Sequence, residues 1–319
     1  MDRALAAYKF GSGVARSLPG PLASAASRAA SVGAAQAMRE RRFMVERNLR
    51  RATGRDLRGL ALRSAVQRTF ESYGRYWMES FRLPGMTRAE VDAGLSYEGF
   101  EHIEQARADG YGPLMAIPHL GGWEWAAFWL TMVADIPVTA VVEPIEPPEL
   151  FDWFVEFRSS LGMHVVPLGP KAGAEVVRGI KERHVVCLLS DRDIQGGGIE
   201  VEFFGERTTL PGGPATLALR TGAPILPCAV YNLAKGGHHC VIRPPVPVER
   251  RGSLREDVTR ITQRVATELE VLIRAAPEQW HLMAPNWPSD HEALVAAGLR
   301  PAVADPAEGV PGEVPEATK

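Results

Sequence analysis

Short apolar runs alternate with longer amphipathic stretches from about residue 97 to residue 242. Apolar runs of this length, bounded by Gly, Pro or charged residues, are typical of buried strands. We predict strands at Gly112–Ile117, Val138–Val142, His164–Pro167, Val185–Ser190, Ile199–Phe204, Ile225–Tyr231 and His239–Ile242.

The intervals between these runs have helical spacing. They predict helices at Trp123–Ala134, Pro148–Leu161, Lys171–Glu182 and Gly213–Thr221. Strands that alternate with helices indicate an α/β fold, with a central sheet of about seven mostly parallel or mixed strands and helices on both faces. Ile199–Phe204 follows Val185–Ser190 too closely for a helical crossover, so we expect the sheet to be mixed.

The rest of the chain is predominantly helical by pattern. Residues 1–85 predict helices, among them Ala34–Arg51, which stops at Thr53-Gly54, and Leu57–Trp77. Leu254–Ala275 predicts a long amphipathic helix closed by Pro277. We expect residues 1–298 to form one domain, because the first helices need a surface to cover. Residues 299–319, rich in Pro, Glu, Ala and Gly, predict a disordered tail.

Composition narrows the class of protein. A chain of 319 residues with 45% hydrophobic residues is long enough and apolar enough for a sizeable core. Its three cysteines form no CxxC pair, which argues against a disulfide framework or a zinc module and favours a reducing compartment. The sequence contains neither a continuous apolar run of membrane-spanning length nor a secretory signal, so we expect the chain to stay in the cytoplasm.

Charge is unevenly distributed. Residues 1–70 contain fourteen Arg and Lys against four Asp and Glu, although the whole chain has a net charge of −2. A basic region interleaved with apolar residues is able to dock on an anionic leaflet, at about 1 kcal/mol per well-placed charge. A solvated helix face is an equally good interpretation, and nucleic acid is a weaker one because no nucleic-acid motif is present.

The first candidate site lies directly after a predicted strand. His119 follows Pro118 at the end of the strand that contains Ile117, and Gly121-Gly122 then precedes a helix. Ligands of α/β sheets gather at such strand ends. We expect Glu124 to turn back and accept the Nδ1 proton of His119, which leaves Nε2 free to act as a base.

The glycines and aromatics that follow His119 suggest how substrate is held. Backbone amides around Gly121 and Gly122, together with the start of the helix, are candidates for binding an oxyanion. The aromatic residues Trp123, Trp125, Phe128 and Trp129 are candidates for lining an acyl tunnel, with ordinary core packing at least as good an explanation for each. The spacing of His119 and Glu124 does not match a helical zinc motif, so we expect no metal.

A second candidate site is Ser190-Asp191-Arg192-Asp193, which also follows an apolar strand; Arg192 and Asp193 are expected to bind substrate. Asp191 is expected to face His119 across the top of the sheet, and the sequence leaves open whether Asp191 or Glu124 is the closer partner of the imidazole. The alternative is a capped turn in which Asp191 binds backbone amides. The sequence has neither a G-x-S-x-G elbow nor a reactive cysteine motif, so we expect His119 to activate an external hydroxyl without a covalent acyl-enzyme.

Several blocks of sequence resemble the glycerolipid and lipid A biosynthesis acyltransferases. His119-Leu-Gly-Gly-Trp-Glu124 is similar to the H-x4-D/E box of that family. Further similar blocks follow in the same order, at Arg158-Ser-Ser-Leu-Gly162, Leu189-Ser-Asp-Arg-Asp193 and Thr221-Gly-Ala-Pro-Ile-Leu-Pro227. Within the family, the branch that acylates phosphatidylinositol mannosides in actinobacteria is the most similar, over roughly residues 65–290. Characteristic stretches of that branch are Ser72-Tyr-Gly-Arg-Tyr-Trp77, Glu200-Val-Glu-Phe-Phe-Gly-Glu206 and Trp280-His281.

The resemblance implies an enzyme bound peripherally to the cytoplasmic face of the inner membrane. It would transfer a fatty acyl chain, with palmitoyl expected, from acyl-CoA to a mannose hydroxyl, and it would need no cofactor. His119 matches the base, Glu124 the box carboxylate, and Glu143 and Arg158 polar site residues. Asp191 stands where that branch has a catalytic Glu, which shortens the side chain by one methylene. The boxes leave open another glycolipid acceptor, a thioesterase and a non-catalytic lipid-binding protein.

Overall fold

The computed structural model describes residues 3–145, 147–193 and 196–300. The predicted tail lies outside these residues from position 301 onward. Twelve α-helices occur in the described residues: α1 (Arg3–Ser17), α2 (Gly20–Ala37), α3 (Arg39–Thr53), α4 (Gly59–Arg82), α5 (Arg88–Ala93), α6 (Glu101–Ala108), α7 (Trp123–Met132), α8 (Pro148–Ser160), α9 (Ala172–Lys181), α10 (Gly213–Thr221), α11 (Leu254–Ala275) and α12 (Pro288–Ala296).

Nine strands accompany these helices. They are β1 (Leu95–Glu98), β2 (Leu114–Ile117), β3 (Val138–Val142), β4 (Met163–Pro167), β5 (Val185–Leu189), β6 (Ile199–Phe203), β7 (Glu206–Leu210), β8 (Ile225–Asn232) and β9 (His238–Ile242). Seven of them form the central sheet in the order β1-β9-β8-β2-β5-β3-β4. Neighbours from β8 to β4 are parallel, whereas β9 is antiparallel to β8 and parallel to β1.

The predicted α/β sheet of seven strands is confirmed, but its membership differs from the prediction. Ile199–Phe203 does not join the sheet; it pairs with Glu206–Leu210 as a separate antiparallel hairpin. The seventh strand is the edge strand Leu95–Glu98. Three of its four residues are exposed, so it lacks the apolar run that marks the other strands. The sheet is therefore mixed because of β9 and β1, and not because of Ile199–Phe204.

Helices cover both faces because side chains alternate along each strand. In β2, Leu114 and Ala116 pack with α9, α10 and α11, whereas Met115 and Ile117 pack with α4 to α8. Leu254–Ala275 forms a single helix with the predicted bounds. It begins at a capping box in which Ser253 and Glu256 bind each other's backbone amides.

The prediction of one helix over Ala34–Arg51 is wrong, because the chain bends at Met38 between α2 and α3. The bend allows both helices to pack on α4: Ala35 of α2 and Leu49 of α3 share one apolar cluster with Phe70. Tertiary packing thus overrides good local helix propensity. Among the described residues, no helix combines the length and apolar character needed to cross a bilayer.

The chain returns over the sheet after α11. The segment Gln279–Asp290, called the C-terminal segment below, crosses the carboxyl end of β2, where Trp280 forms a backbone bridge with Leu120. Its far end is fixed to α3 by Asp290, a fully buried carboxylate that accepts hydrogen bonds from Arg47 and Arg51, each at 2.7 Å. Helices from the start of the chain therefore hold the segment that closes over the sheet.

Candidate active site

His119 and Asp191 are brought together by the register of two adjacent strands. In the parallel pair β2 and β5, Ile117 lies opposite Leu189. His119 and Asp191 each come two residues further along, so they leave the sheet side by side at its carboxyl end. The structure confirms that Asp191 faces His119, and it places this pair where ligands of open α/β sheets bind.

Asp191 makes two hydrogen bonds with His119. Oδ1 lies 2.6 Å from Nδ1 of the imidazole, and Oδ2 accepts the backbone N–H of His119 at 3.0 Å. Asp191 is fully buried, whereas the His119 side chain is 30% exposed. A carboxylate on Nδ1 favours the tautomer with its proton there, so Nε2 is the nitrogen left to accept a proton from a substrate.

The surroundings of Asp191 keep it ionised. Burial alone would raise its pKa, but the neighbouring His119 and the hydrogen bonds from His119 and Trp280 together hold the pKa below its ordinary value. The indole N–H of Trp280 donates to Oδ2 at 2.7 Å, and Asn286 donates to the backbone carbonyl of Asp191 at 3.1 Å. The carboxylate is therefore available as a fixed negative charge beside the imidazole.

His281 of the C-terminal segment also contacts His119. Its backbone N–H donates to the carbonyl of His119 at 2.6 Å, and its Nε2 lies 2.9 Å from the hydroxyl of Ser72. Burial lowers the pKa of His281 to about 3, with the nearby His119 as a smaller contribution. The ring is thus neutral at physiological pH and contributes a hydrogen bond instead of a charge.

Glu124 does not bind His119, so that part of the prediction is wrong. Asp191 occupies Nδ1, and Glu124, in the first turn of α7, accepts hydrogen bonds from Tyr76 at 2.7 Å and from Arg158 at 2.9 Å. Burial would lower the pKa of Arg158, but the Glu124 carboxylate raises it above its ordinary value. This buried ion pair holds α7 to α8 and places the guanidinium at the edge of the cavity described next.

A cavity of about 510 Å³ opens beside His119. Its wall has many apolar side chains, among them Tyr8, Trp77, Ile117, Trp123, Phe151 and Phe154. Its polar lining includes Glu143, Arg158, Arg192 and Asp193, the residues expected to bind substrate. Burial raises the pKa of Glu143, although Arg192 and His119 act in the opposite direction. The cavity therefore combines room for an apolar chain with a small set of charged groups.

Gly121 and Gly122 serve the fold and not the cavity. Their amides donate to the carbonyls of Gln279 and Val230, both at 3.1 Å, so the expected role of these two amides in binding an oxyanion is wrong. A Cβ on Gly121, which has φ of +60°, would lie 1.7 Å from the Val230 oxygen, and one on Gly122 would lie 2.6 Å from the His238 ring. Both glycines are needed because the backbone passes directly over β8 and β9.

The aromatic residues of α7 divide between the cavity and the core. Trp123 lines the cavity, whereas the Trp125 indole binds the Val91 carbonyl at 3.2 Å and Phe128 is core. Trp129 and Trp123 also line a smaller space of about 40 Å³ on the same face of the sheet. This space is too small for an acyl chain, and Trp129 belongs to the same core cluster as Phe128. The prediction of an acyl tunnel thus retains Trp123, and core packing accounts for the other three.

The two charged residues after Asp191 differ in their contacts. Asp193 accepts hydrogen bonds from the Gly198 amide at 2.8 Å and from the Thr209 hydroxyl at 3.1 Å, so it connects the residue before β6 with β7. Arg192 lines the cavity near Glu143.

Some residues at the site were not among the site residues predicted from the sequence. Trp280, His281 and Tyr76 contact the predicted residues, and Tyr8 of α1 reaches the cavity from the start of the chain. Trp280, His281 and Tyr76 stand in family-like blocks, which was the available signal. No local pattern singles out Tyr8.

A histidine paired with a buried carboxylate beside a largely apolar cavity is an arrangement that suits transfer of an acyl group to a hydroxyl. The family model for bacterial lipid A biosynthesis acyltransferases matches residues 6–289. The chain belongs to this family. It is accordingly an O-acyltransferase.

Similar proteins come from two branches of the family. A phosphatidylinositol mannoside acyltransferase of Mycobacterium tuberculosis is 38% identical over 237 residues, 73% of either chain. One of the same name from Mycolicibacterium smegmatis is 35% identical over 250 residues, 77% of this chain and 79% of the relative. A lipid A biosynthesis acyltransferase of Haemophilus influenzae is 30% identical over 190 residues, 57% of this chain and 55% of the relative.

Proposed function

We propose that this enzyme transfers a palmitoyl chain from acyl-CoA to a mannose hydroxyl of a phosphatidylinositol mannoside. The names of the mycobacterial relatives support the acceptor, and the apolar wall of the cavity supports a fatty acyl donor. The observation that carries the proposal is the 2.6 Å contact between His119 Nδ1 and Asp191 at the wall of that cavity. Acyl-CoA is a substrate in this scheme, and the chemistry requires no cofactor.

In the proposed mechanism, the acceptor hydroxyl gives its proton to Nε2 of His119 as its oxygen attacks the thioester carbonyl. Asp191 stabilises the imidazolium that forms. The tetrahedral intermediate then expels the CoA thiolate, which takes the same proton back, so His119 ends as it began. General-base catalysis of this kind increases the rate of a reaction about 10²- to 10⁴-fold.

The developing oxyanion needs a donor other than the Gly121 and Gly122 amides. Helix α7 begins at Trp123, which lies on the cavity wall. The first backbone amides of a helix have no hydrogen-bond acceptor within that helix. We place the oxyanion there, where the helix dipole favours negative charge. Glu124, in the same turn, takes no direct part and acts through Arg158.

The location belongs to the same proposal. We place the enzyme on the cytoplasmic face of the inner membrane, held peripherally by its basic, helical start. On α1 and α2 the large side chains Phe10 and Leu22 are 75% and 57% exposed, which suits contact with a lipid surface. Tyr8 of α1 lines the cavity, so docking through this helix would bring the cavity close to its lipid substrate.

The test is incubation of the purified full-length enzyme with palmitoyl-CoA and a panel of candidate lipids, with mass spectrometry of the products. We expect acylated phosphatidylinositol mannoside and stoichiometric free CoA. His119→Ala should lower kcat by about 10²–10⁴. His164→Ala, a partly exposed histidine of β4 outside the cavity wall, is the matched control and should keep wild-type activity.

Three other results would overturn the proposal in different ways. Free fatty acid without acylated lipid would indicate a thioesterase. Acylation of a different lipid would replace the acceptor and leave the chemistry in place. Binding of the acyl chain that is unchanged in His119→Ala, with no CoA release by the wild type, would indicate a non-catalytic lipid-binding protein.

A further inference from the structure

The C-terminal segment contacts both members of the proposed catalytic pair. The His281 amide binds the carbonyl of His119, and Asn286 binds the carbonyl of Asp191. The third contact is the indole N–H of Trp280 on Oδ2 of Asp191, at 2.7 Å. It is the only one of these three contacts that reaches the carboxylate itself, and so the only one that acts directly on the charge beside the imidazole.

We propose that Trp280 is a positioning residue, whose indole N–H fixes the Asp191 carboxylate so that Oδ1 stays aligned with Nδ1 of His119. This inference rests on the proposed function of the pair. Oδ2 accepts two hydrogen bonds, from the His119 amide and from Trp280, and Oδ1 is left for the imidazole. Because the two oxygens are rigidly joined, holding Oδ2 sets the direction of Oδ1.

Burial makes the Trp280 contact hard to replace. Asp191 is fully buried and Trp280 is 3% exposed, so water has little access to the space that a lost N–H would leave. A hydrogen bond to an ionised carboxylate is also stronger than one between neutral groups. The Trp280 bond contributes to the low pKa of Asp191, which fits a donor that stabilises the charged form.

The indole itself is held rigidly. Its ring centroid lies 5.4 Å from that of Phe204 and 6.2 Å from that of Phe203, and its backbone pairs with Leu120. The C-terminal segment is in turn fixed to α3 through Asp290. A donor with few alternative positions is what alignment of a catalytic carboxylate requires.

Trp287 provides a matched control. It is 1% exposed, lies beside Trp280, and also donates a single indole hydrogen bond, to the Phe203 carbonyl at 3.2 Å. Trp280→Phe and Trp287→Phe each keep an aromatic ring and delete one buried N–H. The two substitutions therefore cost similar packing, but only Trp280→Phe affects Asp191.

The experiment compares the full-length wild type with both variants by steady-state kinetics and by proton NMR of the His119 Nδ1–H, identified by its loss in His119→Ala. Trp280→Phe is expected to lower kcat about 10- to 100-fold through misalignment, with KM little changed, and to shift the Nδ1–H resonance. Trp287→Phe is expected to leave kcat and the resonance as in the wild type. Equal losses in both variants, or an unshifted resonance in Trp280→Phe, would overturn the inference.

A second measurement covers the case in which Trp280→Phe fails to fold. In 15N-tryptophan-labelled protein, Asp191→Asn should shift the indole N–H resonance of Trp280 and leave that of Trp287 in place; equal shifts, or none, would contradict the contact. These NMR readouts do not depend on turnover. If the wild type lacks transferase activity, the proposed function fails, while the alignment of Asp191 by Trp280 is still decided by the resonances.

Discussion

Glu124 and Arg158 form an ion pair at 2.9 Å, and their side chains are only 1% and 14% exposed. Both lie next to the proposed catalytic pair, His119 and Asp191, but bind neither of them. Each charge stabilises the other, because a buried ion without a counter-charge lowers the stability of the folded protein. The box carboxylate, Glu124, therefore stabilises the surroundings of the site, whereas Asp191 is the carboxylate that contacts the imidazole.

Glu124→Gln should destabilise the enzyme by about 3–5 kcal/mol, because it leaves the Arg158 guanidinium buried without a counter-charge. Urea unfolding measures this change. Glu200→Gln is the control: its pair with Arg207 is exposed, and its loss should cost less than about 1 kcal/mol. A stable Glu124→Gln enzyme with a shifted His119 Nδ1–H resonance would instead mean that Glu124 acts on the imidazole.

Asp191→Asn should lower kcat by about 10²–10⁴, since the amide neither stabilises the imidazolium nor enforces the tautomer with its proton on Nδ1. KM should change little, because Asp191 is buried behind His119 and does not line the cavity. Steady-state kinetics under the conditions of the transferase assay give both constants. A large rise in KM at constant kcat would assign Asp191 to substrate binding.

Gly121→Ala should lower the thermal stability of the enzyme as well as its activity. The residue has φ of +60°, and a Cβ would meet the Val230 oxygen at 1.7 Å, so the active-site loop must move off β8. Gly54→Ala isolates the backbone cost, since Gly54 has φ of +62° with open space around it; that cost is about 1–2 kcal/mol. Thermal unfolding should show a larger loss for Gly121→Ala, and equal losses would refute the proposed steric role.

His281 should make stability depend on pH. Its pKa is about 3 in the folded protein and about 6.5 in an unfolded chain, so between these values only the unfolded state takes up the proton. The contribution of the neutral His281 to the free energy of unfolding is fully present above about pH 6.5 and is lost as pH falls. At pH 5 this loss amounts to about 2 kcal/mol. Urea unfolding at pH 5 and pH 7.5 should show this difference in the wild type. His281→Gln should reduce it, and an unchanged slope would contradict the assignment.

The sequence alone predicted the α/β class and both members of the proposed catalytic pair. Buried parallel strands have continuous apolar runs, and a polar residue directly after such a run is placed by the strand itself. His119 after β2 and Asp191 after β5 are cases of this kind. Ile199–Phe203 instead alternates apolar residues with Glu200 and Glu202, but the local pattern did not show that it pairs with Glu206–Leu210 outside the sheet.

Only the tertiary structure decided which carboxylate serves His119. Glu124 is five residues away and Asp191 is 72 residues away, and the sequence left open which of the two is the closer partner. The first turn of α7 directs Glu124 toward Arg158, while strand register brings Asp191 to Nδ1. Trp280 reaches Asp191 from a segment 89 residues further on. Contacts of this range depend on how strands and helices assemble, because no local preference of the chain specifies them.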